Sequence, residues 1–155
     1  MLLWLLRHGK AESGSPSGRD DDRALAPRGE RQAEWLGRTI ARRPDRPALI
    51  LSSPILRAIE TARRLNGALA APLEQSESLE VGRPPSAALA LIQSHAADPV
   101  MLVGHNPQMA GLLGLLTEGH GHESQFQTGQ AFLLDLDPDN PIGRADLVAT
   151  LRSDD

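Results

Sequence analysis

The feature that most constrains this chain is a set of short apolar runs that do not alternate with polar residues. Nearly every position is apolar in residues 1–6, 48–52 and 100–103. A strand with one solvated face alternates, whereas a continuous apolar run is typical of a strand covered on both faces. Each run is far too short to cross a membrane. The runs therefore predict the central strands of a mostly parallel sheet that carries helices on both faces.

Segments with helical signals lie between these runs. Apolar spacing and prolines at helix starts predict helices over residues 27–43, 54–69, 86–95 and 107–116, the second with Ser53 as N-cap and Pro54 at its first position. Further strands are predicted within residues 72–79, 131–136 and 145–151. This order favours an α/β fold, a three-layer α/β/α sandwich with a mostly parallel central sheet. The 155 residues suit a single domain over residues 1–155.

Composition excludes several classes of function. The formal net charge of -4 disfavours general binding to nucleic acid or to anionic membranes, and only 3% of residues are aromatic, which disfavours base stacking. The absence of cysteine excludes disulfides, thiolate chemistry and cysteine-ligated zinc, and it is compatible with a cytoplasmic location. Residues 2–6 lack the preceding basic residue and the following cleavage site of a secretory signal. We therefore expect neither a nucleic-acid nor a membrane partner.

Basic side chains follow three of the predicted strands, at the edge where an open α/β sheet binds ligands. The first strand ends in Arg7 and His8, Arg57 lies one turn into the helix after the second, and His105 follows the run 100–103. A cation near a helix N-terminus opposes the helix dipole by about 0.3–1 kcal/mol. An anion at the centre removes that conflict, because helix amides and guanidinium groups both favour it. The pattern predicts a site for a phosphoryl group.

Each of these residues also has an ordinary structural explanation when it is taken alone. Arg57 resembles a solvated surface arginine, His105 a capping residue, and the end of the first strand a solvent-exposed tip. Their shared position favours the anion site. The sequence contains neither a nucleotide-binding P-loop motif nor a nucleophilic cysteine. A histidine can form the covalent intermediate instead, while the second histidine and the arginines stabilise the equatorial oxygens.

Several motifs resemble those of a known family. The stretches LLRHGKAE, SSPILRAIETA and LVGHNP occur in the order found in the histidine phosphatase superfamily, also called phosphoglycerate mutase-like. The segment ALAPRGERQAEWLG, which lies between the first two motifs, and the late segment TGQAFLLDLD match further family patterns, so the resemblance covers nearly the whole chain. The short chain resembles in particular the SixA-type phosphohistidine phosphatases. The resemblance implies a phosphoglycerate mutase-like fold.

The resemblance also implies a set of roles. His8 would be the nucleophile that becomes phosphorylated, Arg7 and Arg57 would clamp the phosphoryl oxygens, and His105 would be the second catalytic histidine. Gly9 would permit a sharp turn that exposes His8. The activity implied is a phosphatase that needs no metal or other cofactor. Its partner would be a phosphohistidine protein or a small phosphorylated metabolite.

Other residues are assigned more weakly. Glu77 and Glu80 are the candidates for a proton donor to the leaving group, although a solvated loop carboxylate is the favoured explanation for each, and SixA-type enzymes work without such an acid. Lys10 either attracts substrate or is a surface lysine. The run Asp20–Asp22 is expected to be a solvated loop that lies at most over the mouth of the site. A surface loop is expected around His120 and His122.

Three kinds of function stay open. The leading hypothesis is a phosphatase, which removes phosphate from phosphohistidine on a signalling protein or, second, from a small phosphate ester. A mutase is less favoured, because the chain lacks a long insertion after the Arg57 helix. A phosphate-recognition module without catalysis is the alternative from another class.

Overall fold

Six strands form one mixed sheet in the order β3-β2-β4-β1-β5-β6. The computed structural model describes residues 1–119 and 125–154. The strands are β1 (Leu2–Arg7), β2 (Leu49–Ser52), β3 (Leu73–Gln75), β4 (Val100–Gly104), β5 (Gln130–Asp135) and β6 (Asp146–Arg152). The helices are α1 (Pro27–Ala41), α2 (Leu56–Leu69), α3 (Pro85–Gln93) and α4 (Gln108–Glu118), with short 3-10 turns at Asp20–Asp22 and Glu77–Leu79.

The register of the central strands places their carboxyl ends side by side. Strand β4 pairs in parallel with β1 and with β2, so that Arg7 lies opposite Gly104 and Ser52 lies opposite Val103. The pairing continues one residue further, because the amide of His8 donates to the carbonyl of Gly104 at 3.0 Å. Strands β5 and β6 are antiparallel and extend the sheet beyond β1. The prediction of a mostly parallel sheet is confirmed.

The apolar runs are continuous because both faces of the central strands are buried. On one face, Leu3 and Leu5 of β1 share a core with the buried residues of α3 and α4. On the other face, Trp4 and Leu6 share a second core with the buried residues of α1 and α2. All four side chains are fully buried. The sheet is thus held between two helical layers, which confirms the predicted three-layer arrangement and leaves the strand ends as a rigid platform.

One predicted helix start is wrong. Helix α2 begins at Leu56 with Ile55 as its N-cap residue, and not at Ser53 and Pro54. The Ser53 hydroxyl accepts a hydrogen bond of 3.1 Å from the amide of Ile55, so Ser53 stabilises a turn that precedes the helix. This turn lengthens the link between β2 and α2.

The run Asp20–Asp22 forms a 3-10 turn, and one of its members contacts the site described below. The loop expected around His120 and His122 lies outside the described residues. Across residues 1–119 and 125–154, no helix has the length and apolar character that a membrane crossing requires.

Candidate active site

His8 is the first residue after β1, and its ring is held in one tautomer. The ring is nearly buried, and Nδ1 lies 2.7 Å from the carbonyl oxygen of Gly9. A carbonyl only accepts, so Nδ1 carries the proton and Nε2 keeps its lone pair. Burial, together with repulsion from Arg57 and Arg7, lowers the pKa of His8 from 6.5 to about 4, although the hydrogen bond to Gly9 opposes this shift. A neutral imidazole with a free Nε2 is the form that acts as a nucleophile.

His105 follows β4 and faces His8. The ring centroids lie 5.2 Å apart and the ring planes are tilted by 57°. Nε2 of His105 lies 2.8 Å from the hydroxyl oxygen of Ser53, while Nδ1 is buried without a hydrogen-bond partner. Burial lowers the pKa of His105 to about 3, assisted by repulsion from His8 and Arg57. Both rings are therefore neutral near pH 7.

Arg7 and Arg57 are anchored in the same manner. Nη1 of Arg7 donates to the carbonyl of Phe126 at 3.0 Å, and Nη1 of Arg57 donates to the carbonyl of Asp20 at 2.9 Å. Nη2 of Arg57 also donates to the Asp20 carboxylate at 3.0 Å. In both arginines Nε is buried and has no partner. Burial lowers the pKa of Arg7, and repulsion from Arg152 and Arg57 lowers it further, so Arg7 is a group that gains from a nearby anion.

A cavity of about 290 Å³ brings these groups together. Its lining residues are Arg7, His8, Lys10, Ala11, Arg23, Arg57, Val81, His105, Asn106 and Thr128. The four residues with predicted catalytic roles are all present, and so is Lys10. Neither Glu77 nor Glu80 is found among the described residues that line this cavity. Arg23, Asn106 and Thr128 are additional polar lining residues; Asn106 and Thr128 lie in the quoted motifs LVGHNP and TGQAFLLDLD but had no assigned role.

A second, more open cavity of about 540 Å³ adjoins the first. Arg7 and Asn106 line both cavities. The other walls of the second cavity are formed by Pro107, Ala110, Gln125, Phe126 and Gln127. The site therefore combines a small cationic pocket with a wider space that has a mostly apolar lining.

The buried polar atoms without partners are concentrated in this site. Among the described residues, five buried side-chain nitrogen and oxygen atoms have no hydrogen-bond partner, and three of them are Nε of Arg7, Nε of Arg57 and Nδ1 of His105. A buried polar group without a partner costs about 1–3 kcal/mol, so such atoms mark places where a ligand supplies the missing bond. An anion with several oxygen atoms accepts from the two Nε–H groups, and from Nδ1 of His105 in the tautomer in which the Ser53 hydroxyl donates to Nε2. The described residues hold no cluster of three potential metal ligands.

Residues outside the pocket fix the turn that carries His8. The amide of Gly9 donates to Oγ1 of Thr61 at 3.0 Å, and the amide of Lys10 donates to Oε1 of Gln32 at 2.9 Å. The amide of Gly129 donates to the carbonyl of His8 at 3.0 Å. The backbone from residue 8 to residue 10 is thus hydrogen-bonded to α2, to α1 and to the loop before β5.

Glycine is needed at position 9 because the backbone packs closely there. Gly9 does not adopt a left-handed backbone conformation. A Cβ atom at Gly9 would lie 2.8 Å from the carbonyl oxygen of Gly29, and a Cβ at Gly29 would lie 2.1 Å from the carbonyl oxygen of Lys10. Two glycines therefore let the His8 turn pack directly on the start of α1. Gly29 and Gln32 both belong to the motif segment ALAPRGERQAEWLG, for which the sequence suggested no role. Their contacts with the His8 turn supply one.

The fold and site together define the class of protein: a phosphoglycerate mutase-like sheet with two histidines and two arginines at one edge. A family model of the histidine phosphatase superfamily (branch 1) matches residues 3–80, and the chain belongs to this superfamily. Members of the superfamily are phosphatases. No curated protein sequence matches the chain.

Solved structures agree with this assignment. A candidate SixA phosphohistidine phosphatase from Agrobacterium tumefaciens is 31% identical with a TM-score of 0.83, over 97% of this chain and 96% of that one. The protein histidine phosphatase SixA in complex with tungstate is 21% identical with a TM-score of 0.86, over 98% and 97% of the two chains. A mycobacterial glucosyl-3-phosphoglycerate phosphatase in complex with VO3 is 18% identical with a TM-score of 0.71, over 96% and 97%. The last two likenesses concern the fold alone.

Proposed function

We propose that the protein is a metal-independent phosphatase that forms a phosphohistidine intermediate on His8, and that its substrate is phosphohistidine on a signalling protein. The observation that carries this proposal is the group of three unpartnered nitrogen atoms on Arg7, Arg57 and His105 beside a neutral His8. A transferring phosphoryl group has three equatorial oxygens. The three unpartnered nitrogen atoms match the three equatorial oxygens, and the free Nε2 of His8 is the nucleophile.

In the first step, Nε2 of His8 attacks phosphorus in line with the leaving group. A bond forms between Nε2 and phosphorus, and the bond from phosphorus to the substrate nitrogen or oxygen breaks, with its electron pair going to the leaving group. The imidazole becomes cationic as Nε2 loses its lone pair. The hydrogen bond from Nδ1 to the Gly9 carbonyl, 2.7 Å in the free protein, then stabilises the developing charge.

In the second step, water attacks the phosphorus of phospho-His8. The new phosphorus–oxygen bond replaces the bond to Nε2, whose electron pair returns to the ring, and inorganic phosphate leaves with both protons of the water. Throughout both steps, Arg7, Arg57 and His105 would hold the equatorial oxygens in place. Fixed donors of this kind act without reorganisation during the reaction, which is where their contribution to rate originates.

Two features support a phosphohistidine substrate. The described residues that line the cationic pocket include no carboxylate to protonate a leaving group. A phosphoramidate tolerates this, because its nitrogen can be protonated beforehand, whereas an alkyl phosphate leaves as a poor alkoxide and needs a general acid more. The adjoining cavity of about 540 Å³ is open and gives room for the side chain and backbone of a protein substrate. The name of the Agrobacterium relative points the same way.

The covalent step is tested by trapping. Brief incubation with a labelled phosphodonor should leave label on the wild type that is labile in acid and stable in base. His8→Ala should remain unlabelled and inactive, while His95→Ala, a histidine change outside the site, should be labelled like the wild type. Hydrolysis by His8→Ala at the wild-type rate contradicts the mechanism. Equal phosphate affinity in wild type and His8→Ala, without turnover in either, indicates a recognition module.

The substrate is tested separately by kcat/KM. A phosphohistidine protein should exceed aryl phosphates and sugar phosphates. If a small ester is preferred while label still passes through His8, the mechanism stands and the substrate assignment is wrong. Interconversion of phosphoglycerates without net release of phosphate indicates a mutase.

A further inference from the structure

Asp20 makes an ion pair with Arg57 that the proposed reaction steps do not use. Both terminal nitrogens of the Arg57 guanidinium donate to Asp20, Nη1 to its carbonyl at 2.9 Å and Nη2 to its carboxylate at 3.0 Å. The Arg57 side chain is 5% exposed, whereas that of Asp20 is 60% exposed. A largely exposed carboxylate on a 3-10 turn thus determines the contacts of a buried arginine.

The donor inventory of the guanidinium shows what this contact leaves available. Arginine has five N–H donors in one plane, and Asp20 takes one from each terminal nitrogen. The N–H of Nε, which has no partner, and the neighbouring terminal N–H then remain as an adjacent pair. Such a pair binds two oxygens of one phosphoryl group at once. Asp20 therefore holds the end of the guanidinium and leaves its side for the substrate.

The same carboxylate contacts a second arginine of the pocket. Nε of Arg23 donates to the other Asp20 oxygen at 2.9 Å, and Nη1 of Arg23 donates to the carbonyl of Glu12 at 2.8 Å. These bonds connect the turn at Asp20 to the first half of its own loop. Arg23 therefore holds one oxygen of the Asp20 carboxylate, and the other oxygen holds Arg57.

Electrostatics explain why a carboxylate is needed at this point. The described lining of the cationic pocket includes Arg7, Lys10, Arg23 and Arg57, and it includes no acidic side chain. Repulsion among these cations favours conformations in which Arg57 turns away from the pocket. A long arginine side chain also loses rotamer entropy when it is held in place. An ion pair with Asp20 offsets both effects before substrate arrives.

From these contacts we infer that Asp20 is a positioning residue, which orients Arg57 so that its Nε side binds the transferring phosphoryl group. The inference rests on the proposed function, in which Arg57 holds a phosphoryl oxygen, and it extends that function to the loop between β1 and α1. The acidic turn is then part of the catalytic apparatus and not only a solvated loop.

The test compares Asp20→Ala and Asp20→Asn with Asp21→Asn, a neighbour on the same turn that carries the same charge. Asp20→Ala should lower kcat about tenfold or more, since a hydrogen bond to a charged group is removed. Its affinity for inorganic phosphate, measured by calorimetry, should fall by a similar factor. Asp20→Asn should lie between Asp20→Ala and the wild type, and Asp21→Asn should stay within about twofold of the wild type. Thermal unfolding of each variant is measured alongside, so that kcat and phosphate affinity are compared at a temperature at which all three variants are folded.

A second measurement separates this inference from the proposed function. The Nε–H signal of Arg57 in the NMR spectrum of the free protein, assigned with Arg57→Lys, should be sharp in the wild type and in Asp21→Asn, and broadened in Asp20→Ala. This signal reports Arg57 order whether or not the wild type hydrolyses phosphate. An unchanged signal in Asp20→Ala overturns the inference. So does tighter phosphate binding with undiminished kcat, which would make Asp20 a competitor of the substrate.

Discussion

The amide of Gly9 donates a hydrogen bond of 3.0 Å to Oγ1 of Thr61, which lies one turn after Arg57 on α2. The same hydroxyl donates to the carbonyl of Arg57 at 2.7 Å. One buried side chain thus connects the turn that carries the proposed nucleophile to the helix that carries a proposed phosphate ligand. The relative position of His8 and Arg57 depends on this connection.

Replacement of Thr61 by valine should damage both stability and activity. Thr61→Val keeps the side-chain shape but leaves the buried amide of Gly9 without a partner, which costs about 1–3 kcal/mol. The free energy of unfolding from denaturant titration should fall by that amount, and kcat should fall as the His8 turn loosens. Thr61→Ser retains the hydroxyl and should recover most of both. Wild-type values for Thr61→Val in both measurements would show that this bond has no such role.

Replacement of Gly29 by alanine should be destabilising because of close packing. The new Cβ would lie 2.1 Å from the carbonyl oxygen of Lys10, so the turn after His8 has to move away from α1. Relief of such overpacking typically costs about 1–3 kcal/mol. Gly67→Ala is the matched control, since nothing lies within 4 Å of a Cβ there, and it should stabilise α2 by about 0.5–1 kcal/mol. The two variants should therefore shift the unfolding midpoint in opposite directions, and shifts of the same sign would contradict the packing explanation.

Removal of the Ser53 hydroxyl should act through His105. The Ser53 oxygen lies 2.8 Å from Nε2 of His105 and is buried with it. Ser53→Ala leaves the ring free to rotate and should lower kcat by about tenfold, the equivalent of one buried hydrogen bond of about 1.4 kcal/mol. Ser13→Ala, an exposed serine elsewhere, serves as the control for a serine-to-alanine change and should have the wild-type kcat. A kcat for Ser53→Ala equal to that of the control would remove Ser53 from the site.

The two histidines should make the protein less stable in mild acid. Burial lowers the pKa of His8 to about 4 and that of His105 to about 3, from an unfolded value of 6.5. Between pH 6.5 and pH 4 the two histidines bind protons in the unfolded chain but stay largely unprotonated in the folded protein. The free energy of unfolding therefore falls as the pH falls. Above pH 6.5 both histidines are neutral in the folded and in the unfolded state, and their contribution to the free energy of unfolding is fully present.

This pH dependence is measured by denaturant titration at pH 7 and at pH 5. The difference between the two pH values should be smaller in His8→Asn, which lacks one of the titrating groups. NMR titration of the ring signals in the free wild type gives the direct value for each histidine. Midpoints near 6.5 for both rings would contradict the burial effect, and the nucleophile would then be partly protonated in mild acid.

The layers of the fold and the composition of the candidate site could be predicted from the sequence. Continuous apolar runs at β1 and β4 were sufficient to predict a sheet covered on both faces. Because the carboxyl ends of parallel strands share one edge, Arg7, His8 and His105 were expected to meet there, with Arg57 beside them. The structure places all four around one cavity, while their chemical roles stay predictions.

The contacts that hold these groups in place depend on the packed chain and could not be predicted. Asp20 and Arg57 lie 37 positions apart, and Gly9 and Thr61 lie 52 positions apart, so neither contact leaves a periodic signal in the sequence. The start of α2 at Leu56 likewise follows from the turn that Ser53 stabilises. Hydrophobic periodicity reports which face of an element is buried. Hydrogen-bond partners between loops depend instead on the register and close approach of backbones, which arise only when the whole chain has packed.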